Sequence, residues 1–246
     1  MPRPPKTILA IDIGGTKLKI LRSGETEPRK APSGKEMTPA RMVETVRELA
    51  ADWEYDAVSI GCPSQVGPNG PRSEPVNLGP GWVGFDYAAA FAKPVRIIND
   101  AAMQALGSYE GGKMLFLGLG TGVGSALIAD NSIVPMELGR LRLRDNQTMA
   151  ELLGRKALKS LSKKDWRQLV AEAVAMLSAA FVVDEVVLGG GNAKLMRELP
   201  HGARLGHNLT AFRGGFRLWN IEDVVTHPAD GSAPTQPAPP TEWRLL

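Results

Sequence analysis

The sequence predicts an α/β protein built from two related lobes, and three observations support this prediction. Apolar, β-rich stretches alternate with helix-forming stretches along the 246 residues. The composition, 43% hydrophobic and 22% charged, is that of a chain able to bury a substantial core. Two predicted hairpins turn through similar glycine-threonine segments, residues 12–16 and 118–122, with apolar strands beside them. This diverged repeat predicts two lobes that present their turns to a shared cleft.

The first hairpin opens the predicted fold. Residues 7–13 form an apolar run that ends in Gly-Gly, and residues 17–21 alternate polar and apolar as a half-exposed strand does. A helix is predicted from Pro39, with Thr38 as its N-cap, to about Trp53. The other elements predicted before residue 99 are a strand at 57–62, a Gly- and Pro-rich loop at 63–84, a helix at 87–92 and a strand at 95–98.

A carboxylate and an amide follow that last strand. Asn99 and Asp100 begin a predicted helix that continues to about Tyr109, which places Asp100 close to the N-cap. A carboxylate held after a buried strand, at a helix start, suits a general base for an alcohol. The alternative is that Asp100 only caps the helix and Asn99 is a turn residue.

The second hairpin opens the second half of the chain, with strands at 113–119 and 125–129. The elements predicted after it are helices at 148–161 and 164–181, a strand at 185–188 and a helix at 192–198 opened by three glycines. We therefore expect a smaller N-terminal lobe at 1–100 and a larger C-terminal lobe at 101–224, with its last helix packed back on the first. Residues 225–246 hold five prolines and are expected to be a flexible tail outside the fold.

Cysteine usage and the chain start predict a cytoplasmic protein. Cys62 is the only cysteine, so the chain can form no internal disulfide, and the three histidines lack metal-ligand spacing. No signal-peptide core precedes the first strand, and the longest apolar run, 173–183, is too short to span a bilayer. The net charge of +3 fits an anionic ligand only weakly.

The glycine turns have the composition of phosphate loops. Without a Cβ, backbone N–H groups can reach phosphate oxygens, and Thr16, Thr121 and Lys17 would add donors and positive charge. Asp12 supplies an acid suited to Mg²⁺ in the first turn, whereas Gly118 leaves the second turn without one. Either turn alone is consistent with an ordinary hairpin, but the pair favours phosphate binding. Dinucleotide and P-loop glycine patterns do not occur.

Residues 140–167 carry nine Lys or Arg against three Asp or Glu. They predict either a track for a long polyanion or a solvated basic face on two helices. Arg140, Arg142 and Arg144 would share one face if that segment is a strand. Trp82, in the Gly- and Pro-rich loop, is the tryptophan most suited to contact a ligand.

An ordered set of motifs resembles the ROK (repressor, open reading frame, kinase) family over about residues 6–222. The motifs are Asp-Ile-Gly-Gly-Thr-Lys at 12–17, Ile-Asn-Asp-Ala at 98–101, Leu-Gly-Thr-Gly-Val-Gly-Ser-Ala-Leu at 119–127, Glu-Leu-Gly at 137–139 and Leu-Gly-Gly-Gly at 188–191. Residues 125–139 and the segment Asn-Leu-Gly-Pro-Gly-Trp at 77–82 are most similar to the polyphosphate glucokinase branch.

The resemblance implies an actin-like ATPase (ribonuclease H-like) fold with two lobes around a central cleft. It implies Asp100 as general base and a sugar held by Asn77, Asn99, Glu137 and the residue at Arg140. The donor, ATP or polyphosphate with Mg²⁺, would contact Asp12, Gly14, Gly15, Thr16, Lys17, Gly120, Thr121, Gly122, Gly189, Gly190 and Gly191, with Asp12 on the metal side. It also implies a homodimer.

Two departures from the family pattern bear on function. Arg140 stands where the family usually has a histidine that contacts the sugar. The cysteine-rich zinc motif of many members is absent, as in the polyphosphate glucokinase branch, so no zinc is expected.

The sequence therefore predicts a sugar kinase that phosphorylates a hexose, with glucose as the implied acceptor. A catalytically silent sugar sensor and a kinase for a non-glucose or anionic acceptor remain alternatives, because of Arg140. No membrane or nucleic-acid partner is expected, since the first strand begins at about Thr7 and leaves no room for a DNA-binding domain before it.

Overall fold

A computed structural model describes residues 7–207, 209–220 and 243–246. The strands are β1 (Ile8–Ile13), β2 (Lys17–Arg22), β3 (Arg29–Pro32), β4 (Ala57–Cys62), β5 (Val66–Gly67), β6 (Gly70–Pro71), β7 (Val95–Asn99), β8 (Met114–Leu119), β9 (Val123–Ala129), β10 (Ser132–Met136), β11 (Arg142–Arg144), β12 (Gln147–Thr148), β13 (Glu185–Gly189), β14 (Ala203–Leu205) and β15 (Arg244–Leu245). The helices are α1 (Pro39–Leu49), α2 (Tyr87–Phe91), α3 (Asp100–Ser108), α4 (Met149–Leu153), α5 (Ala157–Ser160), α6 (Lys163–Phe181) and α7 (Thr210–Arg217). Short 3₁₀ turns occupy Leu138–Arg140 and Ala193–Leu195.

The first large sheet brings three strand ends to one edge. Its order is β3-β2-β1-β4-β7, with β1 and β2 an antiparallel hairpin and β1, β4 and β7 parallel. Asp12 therefore pairs in register with Gly61, and Cys62 pairs with Asn99. Because parallel strands end at the same edge, Asp12 near the end of β1 and Asp100 just after β7 lie at that edge, with β4 between them.

The second large sheet repeats this plan. Its order is β14-β13-β8-β9-β10-β15, with β8 and β9 an antiparallel hairpin and β13 parallel to β8. Gly118 pairs with Gly124 across the hairpin and with Gly189 on the other side. The repeat predicted from the two glycine-threonine segments is thus present as two hairpins, each flanked by a parallel strand.

Each sheet has its own apolar core. In the first sheet, α1 and the fully buried Trp82 cover strands β1, β2 and β4. In the second, α4 and α6 cover β8, β9 and β13, and the fully buried Trp166 donates from Nε1 to the Leu153 carbonyl, 3.0 Å away. In the described part of the chain, no helix combines the length and apolar character needed to cross a membrane.

Helices α3 and α7 pack against each other between the sheets. The core around α3 includes residues of β8, β9 and β10, and a neighbouring core joins Phe212 and Phe216 of α7 to β1. Ser59 of β4 donates to the Gly215 carbonyl at 2.6 Å, so α7 is also bonded to the first sheet. Residues 101–220 therefore send a helix back onto the strands of residues 8–62.

Glycines permit the close crossing of α3 and α7. A Cβ at Gly107 would lie 1.7 Å from the Thr210 carbonyl oxygen, and one at Gly214 would lie 1.8 Å from the Met103 carbonyl oxygen. Both obstacles are backbone atoms, which cannot move aside as a side chain can. Two glycines, one from each helix, thus set the separation of the helices.

Several predicted elements differ from the observed ones. The helix predicted at 148–161 is broken into α4 and α5 at Gly154, whose backbone lies against the Thr121 carbonyl. The helix predicted at 192–198 is a single 3₁₀ turn, because the Asn192 amide donates to the Leu119 carbonyl and ties that segment to the second hairpin. Helix α1 ends at Leu49, four residues before Trp53.

Other elements were not predicted. They are β3, β5, β6, β10, β11, β12, β14, β15 and α7. The prediction of a flexible tail falls, for residues 225–242, outside the described residues. Residues 244 and 245 form β15, which pairs in parallel with Ser132 and Ile133 of β10, so these residues are part of the sheet.

Replacing Gly107 with Ala is expected to lower the free energy of unfolding by about 3 kcal/mol or more, because the added methyl meets fixed backbone. The gain in helix propensity, about 1 kcal/mol, offsets only part of this cost. Urea unfolding measures the difference. Gly191→Ala is the matched control, since a Cβ there meets no atom within 4 Å, and a loss equal to the control's would contradict the packing argument.

Candidate active site

The N-terminus of α3 holds Asp100 through the residue before it. Asn99 is the N-cap, with Oδ1 accepting hydrogen bonds from the amides of Ala101 and Ala102 at 3.0 and 3.1 Å. Its Nδ2 donates to the Ser64 carbonyl at 3.1 Å. The capping role that the sequence allowed for Asp100 therefore belongs to Asn99, and Asp100 is the first helical residue. One oxygen of Asp100, Oδ1, accepts from the Ala101 amide at 2.9 Å.

The two sheets converge at Asp100. A Cβ at Gly61, the register partner of Asp12, would lie 3.5 Å from the Asp100 Cα. A Cβ at Gly124, in the second hairpin, would lie 2.9 Å from the Ala101 Cβ. The helix start is thus pressed between β4 of the first sheet and β9 of the second, where only glycines leave room.

Asp100 is half-buried, and its surroundings change its acidity. Desolvation raises the pKa of Asp100 to about 7, with further increases from the negative charges of Asp12 and Glu137. The hydrogen bond from the Ala101 amide opposes the increase but does not cancel it. Asp100 is therefore poised to gain or lose a proton near neutral pH, as a general base requires.

Asp12 is paired with Lys19, which was not among the site residues predicted from the sequence. Lys19 lies directly across the hairpin from Asp12, and its Nζ donates to Asp12 Oδ2 at 2.9 Å. Asp12 is nearly buried, and Lys19 is partly exposed. The hairpin register could have predicted this pair. Lys19 is on the same face as Lys17 and lies directly across the hairpin from Asp12.

The first glycine turn is closed by its own backbone. The Gly14 amide donates to the Lys17 carbonyl at 2.9 Å, and the Ser33 amide and hydroxyl donate to the carbonyls of Thr16 and Gly14. Thr16 and Lys17 are exposed, so their side chains are open to a ligand. The turn therefore has the rigidity and open donors that a phosphate loop needs.

Asn77 lies against the first turn. A Cβ at Gly15 would be 3.0 Å from the Asn77 Cβ, and Asn77 itself is exposed. The Lys35 ammonium donates to the Val76 carbonyl at 2.7 Å and fixes the loop beside it. The residue predicted to bind sugar is thereby adjacent to the turn predicted to bind phosphate.

The second glycine turn is fastened from two sides. The Gly120 carbonyl accepts from the Arg155 amide and from Asn192 Nδ2, each at 3.0 Å. Gly190, with a φ of +79°, approaches so closely that a Cβ would lie 2.4 Å from the Leu119 carbonyl oxygen. The predicted donor glycines 189–191 therefore adjoin the second turn, where Thr121 is exposed.

Glu137 and Arg140 lie at the two ends of a 3₁₀ turn. The buried Ser125 anchors this turn, because its hydroxyl accepts from the Leu138 amide at 3.0 Å and donates to the Met136 carbonyl at 2.9 Å. Arg140 Nε lies 3.6 Å from Glu137 Oε2, and both side chains are exposed. Gly139 of the turn packs against Val123, and the next residue, Gly124, faces Ala101, so the turn lies near the start of α3.

One prediction about this region is wrong, and the condition for another is not met. Trp82 is fully buried and donates from Nε1 to the Gly79 carbonyl at 2.8 Å, so it packs the first core and does not face a ligand. The three arginines do not form one strand face, because Arg140 is in the 3₁₀ turn and only Arg142–Arg144 is extended. Arg144 is paired with Glu172 at 2.7 Å.

The residues at the first glycine turn are compatible with a magnesium ion that is held mainly by a phosphorylated ligand. Among the described residues, no cluster of three or more His, Cys, Asp or Glu side chains could hold a metal ion alone. Asp12 offers one carboxylate, of which Oδ2 is bonded to Lys19. Mg²⁺ commonly uses one or two carboxylates together with substrate phosphates and waters, so this single acid beside a glycine turn is compatible with such binding.

No protein-family model matches the chain. Among curated proteins, the bifunctional enzyme NanE/NanK of Brucella melitensis is 28% identical over 150 residues, which cover 54% of this chain and 28% of that protein. The polyphosphate glucokinase of Mycobacterium leprae is 27% identical over 214 residues, which cover 78% of this chain and 62% of that protein. The chain therefore spans less than two thirds of the length of these relatives.

Solved structures are similar over most of the chain. The inorganic polyphosphate/ATP-glucomannokinase from Arthrobacter sp. strain KM is 25% identical with a TM-score of 0.72, covering 87% of this chain and 97% of that one. A ROK family glucokinase from Streptomyces griseus, in complex with glucose and AMPPNP, is 16% identical with a TM-score of 0.68, covering 86% and 98%.

The fold is the actin-like ATPase fold, with two lobes around a cleft, as predicted. Within this class, the comparisons confirm the resemblance to the ROK family of sugar kinases that the ordered motifs indicated.

Removing the Lys19 cation should raise the pKa of Asp100 further. Lys19→Met leaves the Asp12 charge without its counter-ion, so the ionised form of Asp100 becomes less favourable, by about one pKa unit or less. A ¹³C NMR titration of the aspartate carboxyl carbons measures this shift. Lys17→Met, which removes an exposed lysine from the same hairpin, should shift it less, and equal shifts would contradict the role of the Asp12–Lys19 pair.

Asp100→Asn should stabilise the protein at alkaline pH. The folded chain holds the Asp100 proton up to about pH 7, whereas the ordinary pKa is 3.8, so stability falls as pH rises between these values. The variant's gain in the free energy of unfolding should therefore be larger at pH 8 than at pH 4, by up to about 4 kcal/mol. Urea unfolding at both pH values is the measurement. Asp86→Asn, at the exposed start of α2, is the control, and a gain independent of pH would refute the argument.

Proposed function

We propose that the protein is a sugar kinase that transfers a phosphoryl group from ATP or polyphosphate to a hydroxyl group of a hexose. The observation that carries this proposal is the place of Asp100, a carboxyl at a helix start between β4 of the first sheet and β9 of the second, whose surroundings raise its pKa to about 7. The names of the relatives support the class, because they include a polyphosphate glucokinase and a polyphosphate/ATP-glucomannokinase. Glucose, giving glucose 6-phosphate, is the acceptor that the motifs imply.

Asp100 would act on the attacking alcohol. Its Oδ1 is engaged by the Ala101 amide, which leaves Oδ2 to accept the proton of the sugar hydroxyl. The hydroxyl oxygen forms a bond to the terminal phosphorus while the bond from phosphorus to the donor's bridging oxygen breaks. The donor leaves as ADP or as polyphosphate shorter by one unit. Phosphoryl transfer depends on such positioning and on charge neutralisation.

The two turns would bind the donor from opposite sides. Thr16 and Lys17 are exposed on the first turn, and Thr121 is exposed on the second. Hydrogen-bonding groups of both turns could therefore reach the phosphate oxygens. Mg²⁺, when bound with the donor, would neutralise phosphate charge beside Asp12. Gly189, Gly190 and Gly191 adjoin the second turn and would contact the far end of the donor.

The acceptor would lie between Asp100 and two groups at the edge of the cleft. Asn77, beside Gly15, and Glu137, in the anchored 3₁₀ turn, have exposed polar atoms suited to sugar hydroxyls. Asn99 has a different position, because its side chain is engaged with the amides of α3 and the Ser64 carbonyl. It would orient Asp100 and offer the sugar at most its remaining amide hydrogen.

Asp100→Asn is expected to lower kcat at least about 100-fold, because the amide cannot accept the proton of the hydroxyl. Hexose and donor binding, measured by calorimetry, should change little. A panel of hexoses with ATP and with polyphosphate, followed by ³¹P NMR, identifies the product and provides the rates. For the unmodified protein, kcat/KM should fall about tenfold per unit as pH decreases below about 7, where Asp100 becomes protonated.

Asp86→Asn makes the same change at the start of another helix and should keep normal turnover. Near-normal kcat in Asp100→Asn would remove Asp100 from the role of base. Hexose binding with no phosphorylated product from any donor would instead favour a silent sugar sensor.

A further inference from the structure

Arg140 presents an unused guanidinium fork at the acceptor side of the cleft. Its side chain is 75% exposed, and in the described part of the chain its only polar contact is the one with Glu137. That contact involves Nε, at 3.6 Å, so the two terminal nitrogens are left free. The distance is too long for a good hydrogen bond, and an exposed pair of this kind contributes little stability.

The backbone that carries Arg140 is fixed. The Arg140 amide donates to the Glu137 carbonyl at 3.0 Å, and the Leu141 amide donates to the Leu138 carbonyl at 3.0 Å. Gly139 packs so closely on β9 that a Cβ would lie 2.6 Å from the Val123 carbonyl oxygen. The exposed side chain therefore extends from a rigid base, at a position set by the second sheet.

The neighbouring arginines differ from Arg140 in having strong partners elsewhere. Arg142 donates to the side chain of Asn146, and Arg144 is bonded to Glu172 at 2.7 Å. Of these three arginines, Arg140 is the one in the 3₁₀ turn that packs on β9 beside Gly124, which faces the start of α3. Its terminal nitrogens form a planar fork that matches the two oxygens of a carboxylate or phosphate.

An anion bound there would be attracted by Arg140 and repelled by Glu137, which lies 3.6 Å from it. The charge of Asp12 is offset by Lys19. Glu137 would hold the Nε edge while the fork faces the ligand. In the proposed function, the donor phosphates would bind to the two glycine turns and Lys17. The position beside Glu137 is then left for the acceptor.

We propose that Arg140 selects an acceptor sugar that carries an oxyanion, a carboxylate or a phosphate, remote from the hydroxyl that is phosphorylated. This inference rests on the proposed sugar-kinase function and narrows its acceptor. Neutral glucose is then a poorer substrate than a derivative with an anionic group at the other end of the molecule.

The test compares three acceptors that all keep a terminal hydroxyl, namely glucose, gluconate and glucose 1-phosphate, with ATP and with polyphosphate. The kcat/KM for at least one anionic acceptor should exceed that for glucose about tenfold or more, as a charge-assisted hydrogen bond provides. The two anionic acceptors show whether the site prefers carboxylate or phosphate. Binding of each acceptor without donor, by calorimetry, should follow the same order.

Arg140→Gln should reduce the preference for the anionic acceptor over glucose by about tenfold or more, mainly through KM. Arg140→Lys keeps the charge but not the fork and should restore part of the preference. Arg142→Gln is the matched control and should keep the original preference.

Three outcomes would overturn the inference. Phosphorylation of glucose at least as efficiently as of both anionic acceptors would refute it while leaving the sugar-kinase function in place. A change in the KM of the donor, with the acceptor preference unchanged, would assign Arg140 to the donor. No phosphorylated product from any of the three, nor from the neutral hexoses, would remove the proposed function together with the inference.

Discussion

The site depends on one unfavourable arrangement, the carboxyl of Asp100 held where water solvates it poorly. Two lobes must meet there, so the residue has protein on both sides, and its pKa is raised to about 7 as a result. Neighbouring groups change the pKa of Asp100 further. Asp12 and Glu137 raise the pKa further, and the first amide of α3 partly opposes them. A carboxyl that served only to cap a helix would not need this environment, and the cap is provided by Asn99.

Helix α3 is the element through which the two sheets act on that carboxyl. Its N-terminus touches Gly61 of the first sheet and Gly124 of the second, and its middle crosses α7 at Gly107. Because these contacts involve glycines against backbone or Cβ atoms, small displacements of either sheet change the surroundings of Asp100 directly. The same crossing ties residues near the C-terminus to β1, which ends in Asp12 and the first glycine turn.

The sequence predicted the hairpins, the parallel strands β4 and β7 and the start of α3, because each has a clear local pattern. The predictions that were wrong or missing depend on tertiary contacts, which no local pattern shows. Helix α7 contains Gly214 and Gly215, which disfavour a helix locally, but its crossing with α3 requires the first and its packing on Ala10 of β1 requires the second. The predicted helix after Gly191 is absent because Asn192 bonds to the second hairpin. Lys19 was overlooked, since its pairing with Asp12 depends on strand register, and Trp82 was misplaced because a loop position does not indicate burial.

Charge pairing distinguishes the three acids of the cleft from one another. Two of the three acids have a cation beside them, Lys19 for Asp12 and Arg140 for Glu137. Among the described residues, Asp100 has none. Asp12 can contribute to a metal site and Glu137 can orient an arginine, whereas Asp100, whose pKa is raised to about 7, exchanges a proton near neutral pH. In the proposed kinase, these pairings would give three similar side chains separate roles, with Asp12 toward the donor, Glu137 toward the acceptor and Asp100 between them, where a proton would move as the phosphoryl group is transferred.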